Sequence, residues 1–304
     1  MSGGDFHWDI CLITEPRFIS RVPENEYIEN IFRDEDMLLD ALEKHHLRCT
    51  RVSWDDPHFD WASVRTSVFR TTWDYFERLD EFLSWFHKTR HLTDFQNAPE
   101  LIEWNMDKAY LWDLASRGIP VPSGYYLSAQ SGADLSEICR LSGWKNFVLK
   151  PAISGTARHT YRFSENESDK IVPLFETLNK TEAMMLQEFQ ESVLSDGEVS
   201  LVMLGGRFSH AVQKLAKPGD FRVQDDFGGT LHPYSPTQEE IRLAERALSH
   251  CPALPVYARV DLIRDKENKS CVSELELIEP ELWFRRHPEA ATQMAELISR
   301  NLDS

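Results

Sequence analysis

The stretch that constrains this chain most is a pair of strand-like runs near its end, Tyr257-Ala-Arg-Val-Asp261-Leu-Ile-Arg264 and Cys271-Val-Ser-Glu274-Leu-Glu276-Leu-Ile-Glu279-Pro280. In the second run Glu274 and Glu276 are two residues apart, so strand alternation puts both carboxylates on one face and Leu275 and Leu277 on the other. If the polar turn Asp265–Ser270 closes a hairpin, Asp261 stands beside them. Three carboxylates held so close repel one another, and a hard divalent cation with oxygen ligands relieves them, Mg2+ ahead of Ca2+. The competing reading is a solvated outer strand face.

The rest of the chain narrows the choice. Its 304 residues suffice for two or three units and a large core. Fifty Asp and Glu against thirty-three Lys and Arg give a net charge of −17, which argues against nucleic acid or an anionic membrane as partner. The five cysteines are scattered without a C-x-x-C pair, so neither a disulfide framework nor a zinc site is expected. With no basic leader and no long apolar run, the expected location is the cytoplasm.

Read in order, Trp8–Thr14 is a buried strand, Asp34–His45 a helix, Arg48–Val52 a second strand and Ser63–Phe69 a third. The third leads through Arg70-Thr-Thr72-Trp-Asp74-Tyr75 into a helix whose apolar face carries Phe76, Leu79, Leu83 and Phe86. This rhythm predicts an open parallel sheet, with ligands beyond the carboxyl ends of its strands. Either Arg70, Thr72 and Asp74 face such a ligand, or Trp73 and Tyr75 pack and Arg70 pairs with an aspartate.

Asn97-Ala-Pro99 looks like a boundary, and Trp104–Arg117, carrying Lys108, reads as one helix. Phe147–Lys150 is a strand running into Ser154-Gly155-Thr156, a small-residue loop able to approach phosphate oxygens or to serve as an ordinary hairpin connection. Met184–Phe189 is strand-like, and Gly197–Leu204, Gly205-Gly206 and Arg207–Leu215 form the clearest hairpin. Lys214, Lys217 and Arg222 cluster cations in an acidic chain, and Asp225–Thr230 is a turn or flap. Thr237 and Glu240 have capping-box spacing at the start of the Pro236–His250 helix, and a terminal helix, Pro288–Leu302, packs on the rest.

This order of parts resembles the ATP-grasp superfamily. Glu274 and Glu276 follow Asp261 at that family's metal-ligand spacing, and the likeness covers Asn105 to Trp283. Four segments sharpen it: Val68-Phe-Arg-Thr-Thr-Trp-Asp-Tyr75, Glu103-Trp-Asn-Met-Asp-Lys108, Gly219-Asp-Phe-Arg-Val-Gln224 and Glu274-Leu-Glu-Leu-Ile-Glu-Pro280. They are similar to the branch that contains the O-ureido-serine cyclo-ligase of cycloserine biosynthesis, related to bacterial glutathione synthetase, and extend the likeness to nearly the whole chain. One departure is Glu276, where many relatives carry Asn.

The resemblance implies an α/β (α+β) chain: an ATP-grasp fold behind an N-terminal open parallel-sheet domain. The units would be residues 1–103, 104–186 and 187–304. It implies ATP and Mg2+, as two ions, held by Asp261, Glu274 and Glu276. Lys108, Lys150, Ser154, Gly155 and Thr156 would contact phosphates, Gln187, Glu188 and Phe189 the adenine, and Glu198 the ribose. Arg259 and Arg222, with Lys214 assisting, would face the transferred phosphoryl and developing oxyanion, and Arg70, Thr72 and Asp74 the substrate.

The implied reaction is carboxylate–amine ligation through an acyl phosphate on a small amino-acid derivative, within one molecule or between two. A homodimer is compatible with this reading. Alternatives are an intermolecular dipeptide or glutathione-synthetase-like ligase, a phosphotransferase or carboxylase on the same scaffold, and a catalytically silent nucleotide-binding module.

Overall fold

The computed structural model describes residues 6–217, 219–223 and 228–303. Part of the expected flap, Asp225–Phe227, and Gln224 of the Gly219 motif lie outside the described residues.

Three sheets organise the chain. The first is parallel, with β1 (Trp8–Thr14), β2 (Cys49–Ser53), β3 (Val64–Thr71) and β4 (Asp94–Gln96) in the order β2-β1-β3-β4. Its strands are apolar because helices cover both faces; Ile10, Leu12 and Ile13 are fully buried. The second sheet is antiparallel, β5 (Gly124–Leu127), β6 (Asn146–Pro151), β7 (Tyr161–Ser164) and β8 (Met184–Glu188), ordered β5-β8-β6-β7. The third is also antiparallel, β9 (Glu198–Leu204), β10 (Arg207–Leu215), β11 (Thr230–Pro233), β12 (Tyr257–Arg264) and β13 (Ser270–Glu276), ordered β11-β10-β9-β12-β13.

Both expected hairpins form, and the second pairs Asp261 with Glu274 and Arg259 with Glu276. The capping box at Thr237 and Glu240 is present. The terminal helix Glu289–Leu302 buries Ala290, Ala291, Met294 and Ile298 in a cluster with Leu38, Leu42 and Tyr257.

Three helices differ from expectation. The first runs Glu26–Lys44, starting earlier because the Asn25 side chain accepts from Ile28 N–H and caps it there. The helix after β3 begins at Leu79, leaving Phe76 in the preceding turn. The stretch expected as one helix over Trp104–Arg117 is two, Pro99–Met106 and Tyr110–Ser116. Asp107 is extended, and the Lys108 amide donates to Ala152 O at 2.9 Å, spending on a neighbouring element the bond a continuous helix would need. Lys108 therefore projects from a break between helices. Among the described residues no helix is long and apolar enough to cross a membrane.

His210 on β10 gives the fold a pH signature. It is buried, with Nε2 2.9 Å from Leu282 O and its ring stacked 5.0 Å from His287. Burial holds its pKa down at about 4, the Leu282 carbonyl opposes that, and His287 adds to it. Because the unfolded imidazole titrates near ~6.5, the unfolded chain binds more protons between those values. The contribution is complete above the unfolded pKa and is lost as pH falls towards about 4. His210→Asn is expected to remove up to ~3 kcal/mol of the stability loss between neutral pH and that value, read by urea unfolding; an unchanged slope would show that His210 does not carry it.

Candidate active site

The strand β13 lies at the sheet edge, yet side chains, with the Pro120 carbonyl at Val272 N–H, satisfy its outer side in place of another strand among the described residues. The Tyr110 hydroxyl accepts from Leu275 N–H at 2.9 Å. Asn105 donates to Leu275 O and accepts from Leu277 N–H, both at 2.8 Å. Asn97 donates to Leu277 O at 2.8 Å, and Tyr257 Oη to Ile278 O at 3.0 Å. Beyond the strand, Trp73 Nε1 donates to Glu279 O at 3.0 Å and Arg70 Nη2 to Pro280 O at 3.3 Å. Residues 275–280 are thus stitched to the first sheet and to both helices around Lys108, which fixes the direction of the carboxylates they carry.

A single cleft opens in front of this edge. Lys108, Lys150, Glu198, Lys214, Asp261 and Glu274 line its middle. Lys108 Nζ donates to Ser154 O and sits 3.1 Å from Glu274 Oε1. Lys214 bridges Glu198 and Asp261, the latter at 3.2 Å, while Arg259 pairs with both Asp261 and Glu276. Gly197 makes the Glu198–Lys214 pairing possible: its φ is +68°, and a Cβ there would fall 2.1 Å from Lys214 O.

These contacts set the protonation states. Burial would raise the Asp261 and Glu274 pKa values, but Arg259 and Lys214 hold Asp261 low, and Lys108 and Lys150 hold Glu274 low. Burial pushes Glu276 up to about 7 against the pull of Arg259, with Glu274 and Asp261 adding to the rise. Glu198 and Glu279 are raised, chiefly by burial. Burial also lowers Lys150, whose ammonium makes no hydrogen bond or ion pair among the described residues.

No group of three His, Cys, Asp or Glu among the described residues forms a ready-made metal cage. The acids are instead neutralised by lysine and arginine. This donor set still suits Mg2+, which keeps several waters and takes one or two carboxylates together with substrate phosphates.

Over the cleft lies the loop after β6. Ser154, Gly155 and Thr156 line it, and a Cβ on Gly155 would come 2.5 Å from the Phe76 ring. Thr156, Ala157 and His159 have φ between +48° and +54°, strain of about 1–3 kcal/mol each that persists where surroundings over-determine it. At the far end Gln187, Glu188 and Phe189 line the wall, Arg162 lying 4.1 Å over the Phe189 ring. Arg222 lines the cleft from the segment after β10, its guanidinium on Asp220.

Three expected site residues do not line the cleft: Arg70, Thr72 and Asp74. Asp74 accepts from Trp54 Nε1 at 2.8 Å and pairs with Arg78 at 3.2 Å. Thr72 is fully buried, and Arg70, lying against the Tyr257 and Phe284 rings, reaches Pro280 O. Tyr27, Trp73, Phe76, Glu279 and Trp283 do line it, although none was singled out as a ligand contact from sequence. Trp73 and Phe76 follow the end of β3 and Glu279 the end of β13, whereas Tyr27 sits in the first turn of a helix with no such signal.

Residues 115–278 match the RimK-like ATP-grasp domain. The chain belongs to the ATP-grasp ligase family. This ATP-grasp ligase also matches the N-terminal domain of D-cycloserine synthetase DcsG over residues 10–97. It is 30% identical over 294 residues to the cycloserine biosynthesis protein DcsG of Streptomyces lavendulae, covering 88% of this chain and 94% of that one. It superposes on the crystal structure of D-cycloserine synthetase DcsG with a TM-score of 0.85 at 26% identity, over 96% of this chain and 99% of the other. The ATP-grasp ligase PsnB, solved with a phosphomimetic variant of its minimal precursor, Mg and ADP, shares the fold at a TM-score of 0.64 and 13% identity, covering 98% and 100%. The chain is an ATP-dependent ligase that forms C–N bonds, with the expected α/β ATP-grasp architecture.

Proposed function

We propose that this ATP-grasp ligase converts the carboxylate of a small amino-acid derivative into an acyl phosphate and closes it on a nitrogen of the same molecule, in the manner of an O-ureido-serine cyclo-ligase. The observation that carries this reading is the continuity of the cleft. The one cleft is lined by Lys150, Arg259 and Glu274 and also by the aromatic side chains of Tyr27, Trp73 and Trp283, which suit a small substrate. Tyr27 and Trp73 lie in the segment that matches the DcsG N-terminal domain, which supports a cycloserine-type product.

In this reading Lys108, Lys150 and the Ser154–Thr156 loop hold the phosphates, Gln187–Phe189 the adenine and Glu198 the ribose. The residues 104–186 and 187–304 provide the nucleotide half and 1–103 the substrate wall. Asp261, Glu274 and Glu276 hold two Mg2+ ions, which when bound screen charge between the phosphate oxygens. Lys108, Lys214 and Arg259, which pair with these acids, would be the cations available to the phosphates, and the carboxylates would be the oxygen donors available to Mg2+.

A substrate carboxylate oxygen then bonds to the γ-phosphorus as ADP leaves. The nitrogen attacks the acyl carbon, phosphate departs with the carbon–oxygen bond, and the nitrogen's proton passes to solvent. Arg259 and Arg222, with Lys214, face the charge that develops in both steps. Arg70 and Thr72 serve here by fixing the wall behind Glu279 and Pro280.

Hydroxylamine added to enzyme, ATP, Mg2+ and O-ureido-serine should trap a hydroxamate, and ADP release should require the carboxylate. Without hydroxylamine the ring forms at a rate independent of added amines, whereas an intermolecular ligase would need a second amino acid. Carboxylate-independent ADP release, or turnover without hydroxamate, removes the acyl-phosphate reading.

A further inference from the structure

The part of the cleft around Glu279, next to Glu276 and Lys108, has its own chemistry. Glu279 lines it, and its carboxylate accepts from its own amide and pairs with no other residue among those described. Its position is not that of a loose surface acid. Trp73 holds the Glu279 carbonyl, Arg70 the next one and Tyr257 the one before. The walls beside it are aromatic: Tyr27 stacks on Trp73 with centroids 6.4 Å apart and planes 19° apart, and Trp73 stands edge-on to Phe18 at 5.5 Å. Trp283 completes this part. It is 2% exposed, its φ is +46°, and its indole N–H has no partner among the described residues. A bulky residue kept in the left-handed region marks a place where local strain is tolerated for position.

Burial and the nearby Glu276 and Glu274 disfavour charge on this acid; an organic cation supplies the missing counter-charge, donating a charge-assisted hydrogen bond to the carboxylate while the rings attract it. We infer that this part of the cleft is an ammonium pocket, with Glu279 as counter-ion to the substrate's α-amino group and Tyr27, Trp73 and Trp283 as its walls. The inference rests on the ligase reading for the identity of the ligand and adds a specificity-determining residue to it. Holding the amine protonated also withholds it as a nucleophile, leaving the other nitrogen of the substrate to react.

The test compares the parent chain with Glu279→Gln and Glu279→Asp, using O-ureido-serine of both configurations and its analogue with hydroxyl in place of the α-amine. Calorimetry with AMPPNP and Mg2+ present reads binding, and ADP release reads turnover. Glu279→Gln should bind the better configuration at least about 30-fold more weakly, with AMPPNP affinity unchanged. Glu279→Asp should recover part of that loss, and the hydroxyl analogue should bind parent and Glu279→Gln within about threefold of each other. Equal binding by parent and Glu279→Gln, an equal loss for the hydroxyl analogue, or a parallel loss of AMPPNP affinity each overturns the pocket. If the parent binds the amine and Glu279→Gln does not, but no carboxylate elicits ADP release, the ligase reading fails and the pocket stands. If the parent binds no amine while ADP release still follows a carboxylate, the pocket fails and the ligase reading stands.

Discussion

Glu274→Gln is expected to lower kcat/KM for ADP release by about 10^3-fold or more, equivalent to ~4 kcal/mol of transition-state stabilisation, while its side chain, 28% exposed, makes the folding cost smaller than that of neutralising a fully buried acid. Glutamine keeps the shape of the side chain and can still meet Lys108, which lies 3.1 Å from Glu274 Oε1. It does not keep the anionic oxygen that the proposed magnesium site requires. Asp261→Asn is the poorer probe. Asp261 is 1% exposed and sits between Arg259 and Lys214, so its neutralisation would take a shared carboxylate from two buried cations, leaving Glu276 to Arg259 and Glu198 to Lys214, at a cost of about 3–5 kcal/mol. Lost activity would then be inseparable from lost fold. Near-parent turnover by Glu274→Gln at saturating Mg2+ would remove Glu274 from the metal set.

Asn105→Ala should destabilise the chain by about 2–4 kcal/mol, since it leaves the carbonyl of Leu275 and the amide of Leu277 without their partner. Both residues are buried, and among the described residues no other strand lies beyond β13 to replace the amide side chain. Urea unfolding measures the loss. The same substitution should reduce kcat more than it raises KM for ATP, because Glu274 and Glu276 flank the released backbone and depend on it for direction. A stability loss below ~1 kcal/mol would show that the edge is repaired in another way.

The contrast between these two residues shows what was legible in the sequence. Glu274 and Glu276 announce themselves through strand alternation, and the hairpin turn fixes Asp261 beside them, so the acidic middle of the cleft follows from local rules. The parallel first sheet is equally local, written in apolar runs and helical stripes. Asn105 has no such signature. It looks like a residue inside a helix, and its bonds to Leu275 and Leu277 cross 170 and 172 positions of chain.

The helix break at Asp107–Ala109 was hidden for the same reason, since a distant carbonyl, Ala152 O, takes the Lys108 amide. Asp74 shows the reverse case. It sits just beyond a strand end where ligands collect, but Trp54 and Arg78 occupy its carboxylate. Position relative to a strand is local information, whereas the partner of a side chain is not.

The stitched margin of β13 has a consequence for how such a polypeptide can be divided. Severed from the residues that supply Asn97, Trp73 and Arg70, the remaining half would lose the partners of three carbonyls, those of Leu277, Glu279 and Pro280, while Asn105 and Tyr110 would still hold the strand upstream of them. The first sheet therefore completes the backbone bonding of the segment that carries Glu279 and Pro280.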